Sequence, residues 1–90
     1  MFEWDERKRA LNLAKHGIDF RRVADMWAGP LVFMPGRPAG EEERLIAVGV
    51  IDKQIVAAIH VVRGGAIRII SVRRARDYEK EAFLHHARDG

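Results

Sequence analysis

Ala66-Ile-Arg-Ile-Ile-Ser-Val-Arg-Arg-Ala-Arg76 is the stretch around which the chain is organised. Its first half is β-branched and apolar, the composition of a buried strand, and its second half is packed with arginine. Uninterrupted alternation sends Ile67, Ile69 and Ser71 to one face of that strand and Arg68, Ile70 and Val72 to the other. Arg68 is then a guanidinium on an apolar strand, and needs a carboxylate, carbonyls or a bound anion to offset its desolvation. Two readings follow: an internal ion pair with Glu43 or Glu79, or a phosphate clamp shared with Arg73 and Arg74.

Working back from this strand, two similar runs precede it, Arg44 to Ile51 and Ile55 to Arg63. The connections are Asp52-Lys53 and Gly64-Gly65, short enough to make antiparallel hairpins, and Gly-Gly suits the positive φ of a tight turn. Apolar residues occupy both faces in parts of these strands, so the sheet is expected to be covered on both sides. A further strand is expected at Leu31 to Met34, followed by a Pro- and Gly-rich loop over 35–42 that is the expected mobile segment.

Nearer the start, Phe2 to Trp4 reads as a short edge strand. Asp5 is placed to cap a helix that runs to Lys15, with Leu11, Ala14 and Ala10 as its buried stripe and Gly17 as its left-handed terminator. Asp19 caps a second helix in which Phe20, Val23, Ala24 and Trp27 share one face. Downstream of the arginines, a last helix over 76–86 buries Phe83, with Tyr78, Ala82 and Ala87 beside it. The expectation is an α+β domain over 1–90: two N-terminal helices, a mainly antiparallel sheet of about four strands, and a C-terminal helix.

Composition sets the class. Ninety residues, 48% of them apolar, can form one core, and the absence of cysteine excludes disulfides and thiolate metal sites. No run approaches the ~20 apolar residues that span a bilayer, so a cytoplasmic protein without membrane contact is expected. The net charge of +3 is unevenly spread. Arginine and lysine dominate the two ends, while Asp25, Asp52 and the run Glu41-Glu42-Glu43 make the middle acidic. Two basic ends brought onto one face would form a polyanion-binding patch.

The opening FEWDERKRALNLAKHGIDF, the central GEEERLIAVG and the segment IRIISVRRARDYEKE together resemble the BrnT family of toxins of bacterial type II toxin–antitoxin operons. The resemblance implies a fold similar to RelE-type ribonucleases, a metal-free endoribonuclease, and neutralisation by a BrnA-like antitoxin. That antitoxin contacts operator DNA through a ribbon-helix-helix domain, so DNA is met only indirectly. By position, Lys15 and His16 stand in the KHG motif, Arg44 in the EER segment, and Arg68, Ser71, Arg73, Arg74 and Glu79 in the last segment. The chain departs from the family at Phe83, where tyrosine is common, and at Val61, where threonine is common; a hydroxyl used on RNA at residue 83 would be missing here.

Metal-free RNA cleavage uses the 2′-OH as an internal nucleophile, and needs cationic donors for the transition state and a proton acceptor. Arg68, Arg73 and Arg74 are the candidates for charge stabilisation, Glu79 or His60 for the base, and Lys15 or His16 for a further cation or acid. Lys15, His16, Arg44, Arg74 and Arg76 are the RNA-binding candidates. His60 reads more readily as a core histidine with a backbone partner than as a catalyst, and His16 at least as readily as a helix C-terminal residue facing the dipole. His85 and His86 are adjacent and poorly placed to chelate, so neither a metal nor a cofactor is expected. Apolar surface on the sheet or last helix is expected to receive the antitoxin, or a second copy of the chain in its absence. The competing reading is a catalytically silent binding module. Convergence of Arg68, Arg73 and Arg74 on an open concavity would favour the enzyme, and their saturation by internal carboxylates the module.

Overall fold

The computed structural model describes residues 1–38, 40 and 42–89, with side chains through Arg88 apart from Ala39 and Glu41, which lie outside the described residues. The elements in chain order are β1 (Phe2–Glu3), α1 (Glu6–His16), a 3₁₀ turn (Phe20–Arg22), α2 (Val23–Trp27), β2 (Val32–Pro35), β3 (Leu45–Ile51), β4 (Gln54–Arg63), β5 (Ala66–Arg74) and α3 (Asp77–Asp89).

The five strands form one mixed sheet in the order β1-β5-β4-β3-β2. The sheet thus has five strands where about four were expected. The fifth is β1, within the short edge strand expected at Phe2 to Trp4, and it runs parallel to β5, with Phe2 opposite Ile67 and Glu3 opposite Arg68. The other pairings are antiparallel. Both hairpin turns lie in the left-handed region: Gly64 and Gly65 as expected, but also Asp52 at φ 49° and Lys53 at φ 66°, the geometry of a type I′ turn.

One face of the sheet packs against the 3₁₀ turn and α2, through Phe20, Val23 and Met26 against Ala47, Val56, Ala58, Ile69 and Val72. At Gly49 a Cβ would meet the end of the Leu31 side chain, Cδ2 at 2.8 Å, so Leu31 packs directly over the strand there. The opposite face packs against α3, through Phe83 and Ala75 against Ile46, Val48 and Ala57. The expected second helix is therefore present as a 3₁₀ turn followed by five residues of α-helix, with Ala24 exposed and Met26 buried in its stead.

The first helix is capped as expected. Asp5 accepts from the amides of Arg7 and Lys8, and Gly17 closes the other end at φ 71°. Its buried stripe is not apolar, however: Leu11, Ala14 and Ala10 are exposed, and the buried residue is Asn12. Asn12 Nδ2 donates to the carbonyls of Val72 (2.8 Å) and Ile18 (3.1 Å), while its Oδ1 accepts from the Val72 amide (3.1 Å) and the Ser71 hydroxyl (3.2 Å). The outer edge of β5, covered by β1 at Ile67 and Arg68, is thus covered at Val72 by a side chain acting as a substitute strand. Burial of backbone polar groups requires such partners, and this requirement overrides apolar periodicity in α1.

A β-bulge breaks the alternation of β5. Ile59 lies opposite Ser71 and His60 opposite Ile69, so Ile70 is an extra, unpaired residue. Because side chains alternate with period two, one extra residue exchanges the faces of everything beyond it. Val72 joins Ile67 and Ile69 on the α2 side, and Arg73, opposite Ala57, moves to the α3 side together with Ser71 and Arg68. Arg74, opposite Val56, goes to the other face.

Candidate active site and basic groove

A concavity of about 590 Å³ lies on the α3 side and is floored by Ile46, Ile59, Ile70 and Ser71. Its walls carry Arg37, Arg44, Arg73, Arg76 and Tyr78, and no described carboxylate lines it. Arg37 and Arg44 are brought in by the β2–β3 connection, whose base is closed by the Gly36 amide donating to the Arg44 carbonyl at 2.8 Å. A Cβ at Gly36 would sit 3.1 Å from that oxygen, so the two strands approach as closely as glycine permits. Arg73 is turned into the concavity by the bulge, and Arg76 stands at the start of α3.

Arg73 is oriented by Glu79. Its Nη1 and Nη2 donate to the two Glu79 oxygens at 2.7 and 3.0 Å, and Nη1 also reaches the Arg74 carbonyl at 3.3 Å. Glu79 Oε1 further accepts from the Arg76 amide at 2.7 Å, the side-chain half of a capping box at the start of α3. Burial pushes the Glu79 carboxyl up, but the Arg73 guanidinium and the Arg76 amide outweigh it and hold its pKa below the ordinary value. Glu79 is fully buried and committed to these partners. A planar fork held this way keeps Arg73 in one orientation, which is what bidentate recognition requires.

The bulge residues Ile70 and Ser71 also line a second, shallower concavity of about 210 Å³, whose other walls are Lys8, Leu11, Asn12, Lys15 and His16 of α1. The two concavities meet at the bulge. Among the described residues, Lys8, Lys15, Arg37, Arg44 and Arg76 carry no ion pair, so their charge is available to a ligand.

The remaining sequence candidates are placed elsewhere. Arg68 shares the face of Arg73 but pairs at 3.8 Å with Glu3, a partner other than the Glu43 or Glu79 expected. Arg74 lines a separate basic hollow with Lys53 and Lys80. Arg68, Arg73 and Arg74 therefore neither converge on one concavity nor are all saturated by carboxylates. His60 is buried on the α2 side, stacked edge-on against Trp27 and Phe33, with Nδ1 3.1 Å from the Ala58 carbonyl. Burial depresses its pKa, against the opposing effect of that carbonyl. The sheet thus separates His60 from the arginines. Phe83 is also buried, within the α3-side core. Tyr78, expected beside it, is 54% exposed and stands at the concavity instead.

Arg37, Tyr78 and the bulge are the features missed from the sequence. Arg37 lies in a loop whose path no periodicity reveals, and the bulge has no glycine to mark it. Among the described residues, no three His, Asp or Glu side chains come together as a metal site.

A family model described as the ribonuclease toxin BrnT of type II toxin–antitoxin systems matches residues 4–79. The chain belongs to the BrnT family. The match takes in α1, the whole sheet but its first residues, and the start of α3 through Glu79, so each wall of both concavities lies within the BrnT region. Membership makes this a ribonuclease toxin with a protein antitoxin as its partner. No curated protein matches the chain. No helix among the described residues is long and apolar enough to cross a membrane.

Proposed function

We propose that this BrnT-family chain is a metal-independent endoribonuclease that acts in the cytoplasm and is neutralised by a BrnA-like antitoxin. The observation that carries the reading is the concavity with four arginines and no described carboxylate on its walls. Such a wall repels a divalent cation and attracts a phosphodiester.

In the proposed reaction the ribose 2′-OH attacks the adjacent phosphorus and loses its proton to an acceptor. The bond to the 5′-oxygen breaks, that oxygen takes up a proton, and a 2′,3′-cyclic phosphate remains. Arg44, Arg73 and Arg76 stabilise the charge that grows on the phosphoryl oxygens. Glu79 acts through Arg73 as a positioning residue. Lys15 and His16 bind RNA on the α1 side of the bulge, where His16 is the imidazole available for proton transfer. Arg68 and Arg74 contribute to the surrounding field and not to the reacting phosphate.

The test is cleavage of single-stranded RNA in excess EDTA, with Arg44→Ala/Arg76→Ala beside the native protein and the product ends identified. Cyclic phosphate ends that disappear in the variant support the reading. The pairing of Arg73 with Glu79 favours the alternative, a silent module that serves only its antitoxin. Absence of cleavage by folded, antitoxin-free protein would establish that alternative.

A further inference from the structure

The proposed reaction needs one phosphate, yet the basic surface is longer than one phosphate. Lys8, Leu11, Asn12, Lys15 and His16 fall at i, i+3, i+4, i+7 and i+8 of α1, a single stripe along the helix, and all five face the second concavity. The rise from Lys8 to Lys15 is about 10 Å at 1.5 Å per residue. Between these lysines sits Leu11, 64% exposed, an apolar surface of the size of a base edge. The stripe and the arginine concavity share Ile70 and Ser71 as lining. Along this whole path each described ionisable side chain other than Tyr78 is basic.

Resting on the ribonuclease reading, we infer that the α1 stripe is an extended subsite for single-stranded RNA flanking the cleaved phosphate. Lys8 and Lys15 contact phosphates beyond the reacting one, and Leu11 supports the base between them. An acidic protein segment would find the charge but would leave the continuity with the arginine concavity without use. Single-stranded RNA uses both, since its backbone carries regularly spaced charge and its unstacked bases seek apolar surface. The bulge is the crossing point, and Asn12, which fixes Ser71 and Val72, holds the two halves of the path in line.

The experiment compares a 4-nucleotide and a 12-nucleotide single-stranded RNA as substrates, and measures binding of an all-2′-O-methyl 12-mer against salt. The variants are Lys8→Ala/Lys15→Ala and, as a charge-matched control, Lys53→Ala/Lys80→Ala in the separate hollow. For the native protein, kcat/KM is expected to be at least about tenfold higher on the 12-mer, and this advantage falls about tenfold in the α1 variant through KM. The slope of log K against log salt falls by about 1.4, at about 0.7 per lost phosphate contact on a single strand. The control keeps both the length advantage and the slope.

An unchanged length advantage and slope in the α1 variant would overturn the inference, as would an equal loss in the control. Loss of antitoxin binding with KM for the 12-mer unchanged would reassign the stripe to a protein partner and overturn it too. If the native protein cleaves neither RNA, the ribonuclease reading fails by itself. The subsite is then decided by binding of the uncleavable 12-mer: the expected slope change supports it, and its absence ends it.

Discussion

Asn12 hydrogen-bonds both the amide and the carbonyl of Val72, sixty residues further along the chain. Its side chain replaces a strand neighbour where β1 has already ended. Asn12→Ala strands these groups and the Ile18 carbonyl at about 1–3 kcal/mol each before water relieves part of the cost, so urea denaturation should show a net loss of about 2–4 kcal/mol. Asn12→Asp should cost at least as much at pH 7, because an ionised carboxylate faces the Val72 and Ile18 carbonyls. It should partly recover in acid, where a protonated carboxyl donates again.

His60 makes stability depend on pH in a known direction. Its folded pKa lies below its ordinary value of 6.5 because the imidazole is buried. The unfolded chain therefore takes up the proton first, and the contribution is fully present above about 6.5 and is lost as pH falls towards the folded pKa. Denaturation midpoints for the native protein should fall over this range. His60→Gln, whatever its stability at pH 8, should lack that part of the decline; an identical decline would remove His60 as its source.

The arginines should separate by position. Arg44→Ala and Arg76→Ala should each lower kcat on RNA by about 10²-fold, the scale for losing one donor to a developing oxyanion. Arg68→Ala, whose side chain pairs with Glu3 outside the concavity, should stay within about threefold. Single-turnover rates at saturating RNA make the comparison, and equal losses at Arg68 and Arg44 would contradict it.

Placing a tyrosine at residue 83 should not increase cleavage. The Phe83 ring is buried against Ile46, Val48, Ala57 and Ala75, so the hydroxyl of Phe83→Tyr enters an apolar cluster at a cost of about 1–3 kcal/mol. Thermal denaturation should register the loss while kcat is unchanged. Tyr78→Phe is the informative partner, since Tyr78 is the tyrosine that borders the arginines.

Much of the scaffold was legible because it rests on local rules. Asp5, Gly17 and Asp19 act at helix ends as their chemistry requires, and β3 and β4 begin within one residue of their expected starts and end where expected. What could not be read was non-local. Asn12 is buried for the sake of Val72, and nothing near it in sequence announces that. The site suffered most from one such event: Ile70 exchanges the faces of Arg73 and Arg74, so that an alternation correct through Ile69 assigned every later side chain to the wrong side. Arg44, Arg73 and Arg76, which line the concavity, were named by residue type. His60 was placed by sequence alone and lies across the sheet from them.

The parallel pairing of β1 with β5 has a consequence in time. Residues 2–3 and Asn12 hold the outer edge of a strand that begins at Ala66, and Arg73 waits for Glu79 in the helix after it. During synthesis the first segment to emerge therefore finds its place only after nearly the whole chain has followed. A product that stops before Glu79 lacks the carboxylate that orients Arg73, so the arginine site is completed only when the chain is nearly finished.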